Sequence, residues 1–424
     1  MIGIPGRKLT IIYLCHYFAP EIGAPSARIF EMAQHWVSMG HTVKVVTCFP
    51  NHPTGIIPPE YRGKSYQKEM VDGIEVHRNW VYATPNEGFV KKCIGHLSFM
   101  FSSVLFSTRQ LGKADVIIVS SPTFFSIFSA WCISKAKHIP MVLEVRDLWP
   151  AALVELGVLT NTTIIKLLEN IEMWFYRKAK AVVNVTHSFC DVLASRGVPR
   201  EKLYTITNGV DTTRFFPQSN DTSFRKKHGL EGNFVVLYTG AHGISQALGR
   251  IIDVAERVAD DEAIKFVFIG EGAEKAALLK RVQESGLANV LFLPSVSKNE
   301  MAEVYASSDI CLVPLRDIPL FKTFIPSKMF EIMACARPIV ASVAGEAAEI
   351  LTNSGGAIVT PPEDVAAIEQ AIRTLAHDPS MVKQLALAGH HYAFMNYSRH
   401  GLANDYIDIL QSVTATPTRE GVLA

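Results

Sequence analysis

Short apolar runs of strand type alternate with helical patterns along almost the whole chain, and this alternation most narrows the folds open to it. Strand-like runs fall at 9–15, 42–48, 115–121, 141–146, 181–186, 204–207, 234–239, 265–269, 290–293, 310–314, 338–342 and 356–360. Most of the gaps between them can hold a helix. The first is explicit: Ile29, Met32, Ala33, Trp36 and Val37 repeat at i, i+3, i+4, i+7 and i+8, and Gly40 ends the run. The pattern predicts an α/β protein with doubly wound parallel sheets and helices on both faces.

A chain of 424 residues is too long for one such domain. The break falls near 208–235. Asn208-Gly-Val-Asp211 reads as a turn, Phe215-Phe216-Pro217 leads into a polar segment from Gln218 to Gly232, and Phe234 to Thr239 opens a fresh strand. Two Rossmann-like domains facing across a cleft are predicted, at 1–208 and 233–395. The remainder, 396–424, is expected to be a helix and tail returning to the first domain. Ligands in such sheets bind beyond the carboxyl ends of the strands.

Composition excludes several function classes. The formal net charge of +1 gives no overall pull toward nucleic acid, and none is expected as a partner. The seven cysteines are scattered, odd in number and without a C-x-x-C pair, which fits reduced, buried thiols rather than zinc. Neither D-x-D nor H-E-x-x-H occurs, so no metal site is expected. No window holds 18 uninterrupted apolar residues, so no transmembrane span is expected. The run Leu9 to Cys15 reads as a buried strand, not a signal peptide.

The loops after the strands carry the candidate chemistry. Gly23, between the first strand and first helix, suits a phosphate cradle or an ordinary tight connection. Glu144-Val-Arg146-Asp147 ends a buried strand with three charges, which are costly there unless paired or at work. Arg146 and Asp147 are read as cleft groups, or as a structural pair holding the next loop. Gly240, Gly243 and Gln246 form the matching loop in the second domain. Gly270 and Gly272 begin a G-x-G-x-x-G fingerprint, but Lys275 stands at the third glycine, which argues against a dinucleotide site. His16, at the end of strand one, is a candidate substrate contact.

The stretch from Phe324 to Glu349 offers most. Pro326 and Ser327 open a helix. Met329, Ile332 and Met333 take its buried face, and Lys328 and Glu331 share the other. A cation for phosphates and an acid for hydroxyls suit a sugar nucleotide; a surface ion pair would have the same spacing. Residues 91–108, with Lys91 and Lys92 ahead of Ile94, Phe99, Phe101 and Leu105, read as a membrane-surface helix or a core helix.

Taken together and in order, YFAPEIGAPSAR at 17–28, EVRDLWP at 144–150, ITNGVDTTRFFP at 206–217, FIGEG at 268–272 and PSKMFEIMACARPIVAS at 326–342 resemble the family 4 retaining glycosyltransferases of the GT-B fold. The likeness spans nearly the whole chain. It extends to bacterial enzymes building O-antigen, capsule or exopolysaccharide, including the N-acetyl-fucosamine transferase-like subgroup. The resemblance implies that Gly23, Gly240, Gly243 and Gln246 line the donor's diphosphate. Lys328 would stand near it beside Ser327, and Glu331 would take the ribose hydroxyls. The backbone at Ser295 and Val296 would meet a uracil-type base, and Asp147 beside Arg146 would face the transferred sugar. It further implies a UDP-sugar as substrate with no cofactor, and transfer of an N-acetylated hexosamine or deoxyhexosamine to a polyprenyl-diphosphate-linked saccharide. The expected location is cytoplasmic, peripheral to the inner face of the cell membrane. Departures are visible. Thr323 stands where the family has its first acid, Arg146 where many members have histidine, and Ala336 where a glycine often ends the helix. Arg250 is the nearest cation where the family clamps phosphate with Arg and Lys. A UDP-sugar epimerase, or a non-catalytic nucleotide-sugar-binding subunit, are the rival readings.

Overall fold

The computed structural model describes residues 7–21, 24–52, 54–85, 89–121, 124–151, 154, 159–220 and 223–415. The chain divides into unit 1, residues 1–207 and 400–424, and unit 2, residues 208–399.

Unit 1 is built on an eight-stranded sheet. Its strands are β1 (Thr10–Leu14), β2 (Thr42–Cys48), β3 (Tyr66–Val71), β4 (Ile74–Asn79), β5 (Val116–Ser120), β6 (Met141–Val145), β7 (Ala181–Asn184) and β8 (Leu203–Thr205). The order is β3-β4-β2-β1-β5-β6-β7-β8, parallel throughout except for β3 on β4. All six strands that the alternation predicts for this unit are present. The β3–β4 hairpin is additional. Val71 pairs with Ile74 across a two-residue turn of Asp72 and Gly73, both at positive φ. Asp-Gly is the strongest short hairpin signal. The polar edge strand YQKEMV hid it by lacking an apolar run.

Helix α1 (Ala24–Ser38) buries Ile29, Met32, Ala33 and Trp36 against the sheet, as its period requires. The last helix of the chain, Arg399–Thr414, adds Leu402, Ala403, Tyr406, Ile407 and Leu410 to the same core. The Trp36 indole donates to the Ala403 carbonyl (3.0 Å). Helix α2 (Phe89–Ser102) continues through a π turn at Ser103–Ser107. It is neither wholly core nor wholly surface: Phe99 is fully buried, whereas Phe101 is 66% and Leu105 71% exposed.

Unit 2 carries a six-stranded sheet, all parallel, in the order β11-β10-β9-β12-β13-β14. These strands are β9 (Phe234–Thr239), β10 (Ile264–Ile269), β11 (Val290–Leu293), β12 (Ile310–Pro314), β13 (Ile339–Ser342) and β14 (Ala357–Thr360). One apolar cluster lies on each face. Residues 208–232 belong to this unit rather than to a free linker, because Val210, Phe215 and Leu230 are buried in its core. Val210 also exchanges backbone bonds with the returning chain, donating to Tyr397 O (2.9 Å) and accepting from Arg399 N (2.8 Å). Among the described residues, no helix is long and apolar enough to cross a membrane.

Candidate functional site

Three loops at the carboxyl ends of β9, β10 and β11 meet the helix Lys328–Ala334 around a pocket of about 290 Å³ in unit 2. Met329, Phe330, Ile332 and Met333 anchor that helix in the core, which turns Lys328 and Glu331 to the pocket. Lys328 Nζ donates to the Thr239 carbonyl (2.6 Å) at the end of β9 and lies 4.2 Å from the centroid of the Tyr238 ring. Desolvation pulls its pKa down to about 8, against the opposing charge of Glu331. Glu331 Oε2 accepts from the Tyr305 hydroxyl (3.1 Å), which itself accepts from Thr239 Oγ1 (3.3 Å). The three-residue spacing thus puts a cation and a carboxylate at separate points of one wall, with Lys328 turned to the strand end.

The glycines make the close approach possible. Gly240 has φ +129°, and a Cβ there would lie 2.7 Å from Lys328 Nζ. Gly270 has φ +146°, and a Cβ would lie 1.9 Å from the Gly240 carbonyl oxygen. Gly240 and Gly270 both line the pocket, with Ser295 and Val296 opposite. Gly272 does not line it; its missing Cβ makes room for the His242 carbonyl (2.3 Å). Gly243 and Gln246 also stand off the wall. Gln246 Oε1 accepts from the Gly243 N–H (3.2 Å), so the pair shapes the loop. Ser327 stands at the N-cap position without a side-chain capping bond and does not line the pocket. Lys275, at the failed fingerprint position, braces the same loops by donating to the carbonyls of Gly270 (2.8 Å) and Leu293 (3.2 Å). Thr323 turns its hydroxyl to the Leu320 carbonyl (2.7 Å). Ala336 closes the helix at φ +52°, in the conformation that favours glycine.

The remaining predicted residues lie in unit 1, apart from Gly23, which falls outside the described residues. Arg146 and Asp147 follow β6. Among the described residues they form no ion pair with each other, and Arg146 Nε and Nη1 are buried without a hydrogen-bond partner. Burial lowers the Arg146 pKa and raises that of the Asp147 carboxyl. The structural-pair alternative therefore gives way to a guanidinium held beside Glu144, whose carboxylate is already engaged by Arg28 (2.8 Å). His16 ends β1 in a pocket of its own.

Sequence reasoning missed Tyr305 and Tyr238, which orient Glu331 and face Lys328. Nothing in a helix reading MAEVYA distinguishes Tyr305 from a core aromatic. It missed His242 as well, whose ring is buried against Phe268 and Phe292 with neither nitrogen hydrogen-bonded among the described residues. An unsatisfied buried polar group costs about 1–3 kcal/mol. The variant His242→Leu is accordingly expected to gain about 1 kcal/mol, a rise of roughly 2–4 °C in thermal midpoint. A lower midpoint in thermal denaturation would show that the imidazole contributes favourably.

Two family descriptions match the chain. "Glycosyl transferase 4-like domain" covers residues 23–209, and "Glycosyl transferases group 1" covers residues 233–378. WcaI of Escherichia coli (strain K12), whose name places it among colanic acid biosynthesis glycosyl transferases, is 26% identical over 373 residues, 86% of this chain and 91% of that one. Among solved structures, a sucrose-phosphate synthase of Thermosynechococcus elongatus superposes with TM-score 0.74 at 16% identity, covering 96% of this chain and 99% of that one. Anabaena Alr3699/HepE, solved with UDP and glucose, superposes with TM-score 0.72 at 17% identity, covering 95% and 100%. Both sheets, both family matches and these likenesses agree: the chain belongs to the GT4-type glycosyltransferases of the GT-B fold.

Proposed function

We propose that the protein is a retaining glycosyltransferase. On this reading it moves a sugar from a UDP-sugar to a polyprenyl-diphosphate-linked saccharide in cell-surface polysaccharide biosynthesis. One observation carries it: a desolvated ammonium and a carboxylate on one helix face, Lys328 beside the β9 strand end and Glu331 beside Tyr305, in the same pocket wall. A nucleoside diphosphate presents an anion and a pair of hydroxyls that match them. Lys328 holds the diphosphate, Glu331 accepts from the ribose, and the backbone near Ser295 and Val296 meets the base. The name of WcaI supports the polysaccharide setting, and the UDP found with HepE supports the donor.

Charge develops on the departing diphosphate, and Lys328 stabilises it there. The acceptor hydroxyl attacks from the face the diphosphate leaves, and a leaving phosphate oxygen takes its proton. This route asks for no strong protein base, no metal and no cofactor, since the UDP-sugar is a substrate. Asp147 and Arg146 are assigned to the sugar. The transferred sugar is taken to be an N-acetylated hexosamine or deoxyhexosamine.

Mass spectrometry of UDP- and GDP-sugars incubated with polyprenyl-diphosphate-linked saccharides tests the reading. The expected result is an acceptor heavier by one sugar with a UDP donor. Epimerised UDP-sugar in the absence of acceptor would instead establish an epimerase, and donor binding without turnover a binding subunit.

The protein is placed at the cytoplasmic face of the membrane as a peripheral protein, with helix α2 as the contact. Phe99 is in the core and unavailable to lipid, while Phe101 and Leu105 are exposed. Burial of each apolar side chain stabilises by about 1.5–3 kcal/mol. The double variant Phe101→Glu, Leu105→Glu is therefore expected to cut co-sedimentation with lipid vesicles about tenfold or more. Its thermal midpoint should stay put, because both side chains are exposed; unchanged sedimentation would remove α2 as the contact.

A further inference from the structure

Lysines gather at the amino ends of the unit 1 strands, the edge of such a sheet where substrates are not expected. A pocket of about 410 Å³ opens there. It is lined by Thr10 at the start of β1, Gly112 to Asp115 just ahead of β5, and Ala136 and Lys137 at the end of the helix Phe124–Lys137. Gly112, at φ +61°, turns the loop so that three successive carbonyls hold two ammonium groups. Lys44 Nζ, reaching over from β2, donates to the carbonyls of Leu111 (2.6 Å) and Lys113 (3.5 Å). Lys137 Nζ donates to that of Gly112 (2.7 Å). Lys44 stands directly behind the glycine, since a Cβ at Gly112 would lie 3.6 Å from its Nζ.

Carbonyls orient an ammonium without cancelling its charge, and an ammonium has three protons, so each of these two keeps at least one to donate. Lys113 adds an exposed third ammonium to the lining. Among the described residues, none of the three lysines forms an ion pair. Two acids of the neighbourhood are engaged elsewhere. Asp115 accepts from the Thr10 N–H (2.7 Å) and pairs with Arg7. Glu75, opposite Lys44 on β4, contacts Lys68 (2.8 Å) and His77 (2.7 Å). The crowding of cations has a cost: burial lowers the Lys137 pKa, and the charge of Lys44 lowers it further. In a chain whose formal net charge is only +1, such a gathering is local, and an anion would relieve it.

We propose that this pocket binds a phosphate group carried on a larger molecule, with Lys113 and Lys137 donating to it and Lys44 adding its charge from behind Gly112. A phosphate offers several acceptor oxygens to converging ammonium groups, and charge-assisted bonds of this kind are the strong ones. The volume leaves room for an organic group beyond the phosphate. The site uses no residue assigned to sugar transfer, so it stands whether or not that reading holds. Two sources share the chemistry. One is a free phosphate ester. The other is a lipid headgroup, because helix α2 and its π turn, with Phe101 and Leu105 exposed, lead into this loop.

Two measurements on the full-length protein test the site and its source. One is calorimetry with glycerol 3-phosphate. The other is co-sedimentation with vesicles of equal parts phosphatidylcholine and phosphatidylglycerol, with phosphatidylcholine alone as the blank. The wild type should bind at least one probe. The double variant Lys113→Ala, Lys137→Gln should weaken that binding about tenfold or more. Glutamine can still donate to the Gly112 carbonyl, so the thermal midpoint without probe should stay put. Lys137→Arg should retain binding, because the charge is kept. Bound probe should also slow amide hydrogen exchange at residues 112–115, which locates it. Lysine-dependent binding of glycerol 3-phosphate assigns the pocket to free phosphate esters, and lysine-dependent binding of the anionic vesicles alone assigns it to a headgroup. The site is overturned if neither probe binds, or if the double variant binds as tightly as the wild type. It is overturned equally if Lys328→Ala removes the calorimetric signal, which would place glycerol 3-phosphate in the unit 2 pocket. If the double variant fails to fold, Lys113→Ala alone, at an exposed position, must weaken binding several-fold for the site to stand.

Discussion

Lys328→Ala is expected to lower kcat/KM for the nucleotide-sugar by about 10²–10³-fold, the usual loss when a charge-stabilising group is removed from a transition state. The geometry is favourable for so large an effect. Among the described residues the ammonium has one acceptor, the Thr239 carbonyl, and it lies over the Tyr238 ring beside the pocket. Among the described residues no carboxylate forms an ion pair with it, so a diphosphate arriving there meets a charge held only by a backbone carbonyl. The same desolvation that strengthens the interaction makes it sensitive to pH. With its pKa pulled down to about 8 in the free protein, Lys328 is charged below that pH and neutral above it. Donor kcat/KM should therefore fall about tenfold per unit as pH rises beyond about 8, and Lys328→Arg should remove that fall because a guanidinium stays charged. A wild-type profile flat to pH 9.5 would show that another cation holds the diphosphate. Glu331→Gln should act differently. It keeps the bond from Tyr305 but weakens acceptance from two hydroxyls, and should raise donor KM about tenfold with kcat less affected.

The fold was largely legible because its signal is periodic. Buried parallel strands mostly read as apolar runs, and the twelve runs of that kind are all strands in the structure. What escaped was the β3–β4 hairpin: β3 lies at the sheet edge and has no reason to be apolar, and β4, though buried, reads Ile-Glu-Val-His-Arg-Asn because His77 and Arg78 meet Glu75 and Glu69, although the Asp72-Gly73 turn between the strands was readable. The connection at 208–232 escaped for a related reason. Its composition is polar, and only the placement of Val210 and Phe215 in the unit 2 core shows that it is not a linker.

The candidate site was legible in part. Lys328 and Glu331 lie three apart on a helix whose other face is apolar, so their shared exposure follows from helix geometry alone. The glycine loops stand out in the sequence, but their individual roles depend on which backbone passes above which Cα. Gly270 touches Gly240 and Gly272 touches His242, contacts between segments about 30 residues apart that no local pattern encodes. Tyr305 and Tyr238 were invisible because an aromatic that holds a pocket side chain has the same sequence signature as one that fills a core.

Arg28→Ala is expected to destabilise unit 1 by about 3–5 kcal/mol, the cost of leaving a buried charge without its partner. Arg28 and Glu144 are 2% and 1% exposed. The guanidinium donates to Glu144 Oε1 (2.8 Å) and to the carbonyls of Thr207 (2.7 Å) and Ile206 (2.8 Å), where the chain is about to leave unit 1. The other carboxylate oxygen accepts from the Tyr13 hydroxyl. Burial alone would raise the Glu144 pKa, but Arg28 and then Arg146 overcome it and hold the carboxyl below its ordinary range. In the wild type this contribution is present above the unfolded-state pKa and lost as pH falls through the folded one. Without Arg28 the balance tips toward desolvation, the folded pKa rises, and Glu144 takes up a proton more readily than in the unfolded chain. The stability gap between wild type and variant, measured by urea denaturation, should therefore narrow between pH 8 and pH 5. A constant gap would mean that Glu144 has found another cation. Arg146 is the candidate, because its Nε and Nη1 are buried with no hydrogen-bond partner among the described residues and its charge acts on the same carboxylate. Arg28→Ala combined with Arg146→Ala decides the point. If Arg146 moves in to compensate, the double variant loses more than the sum of the two single ones; if it stays committed to its own site, the losses add.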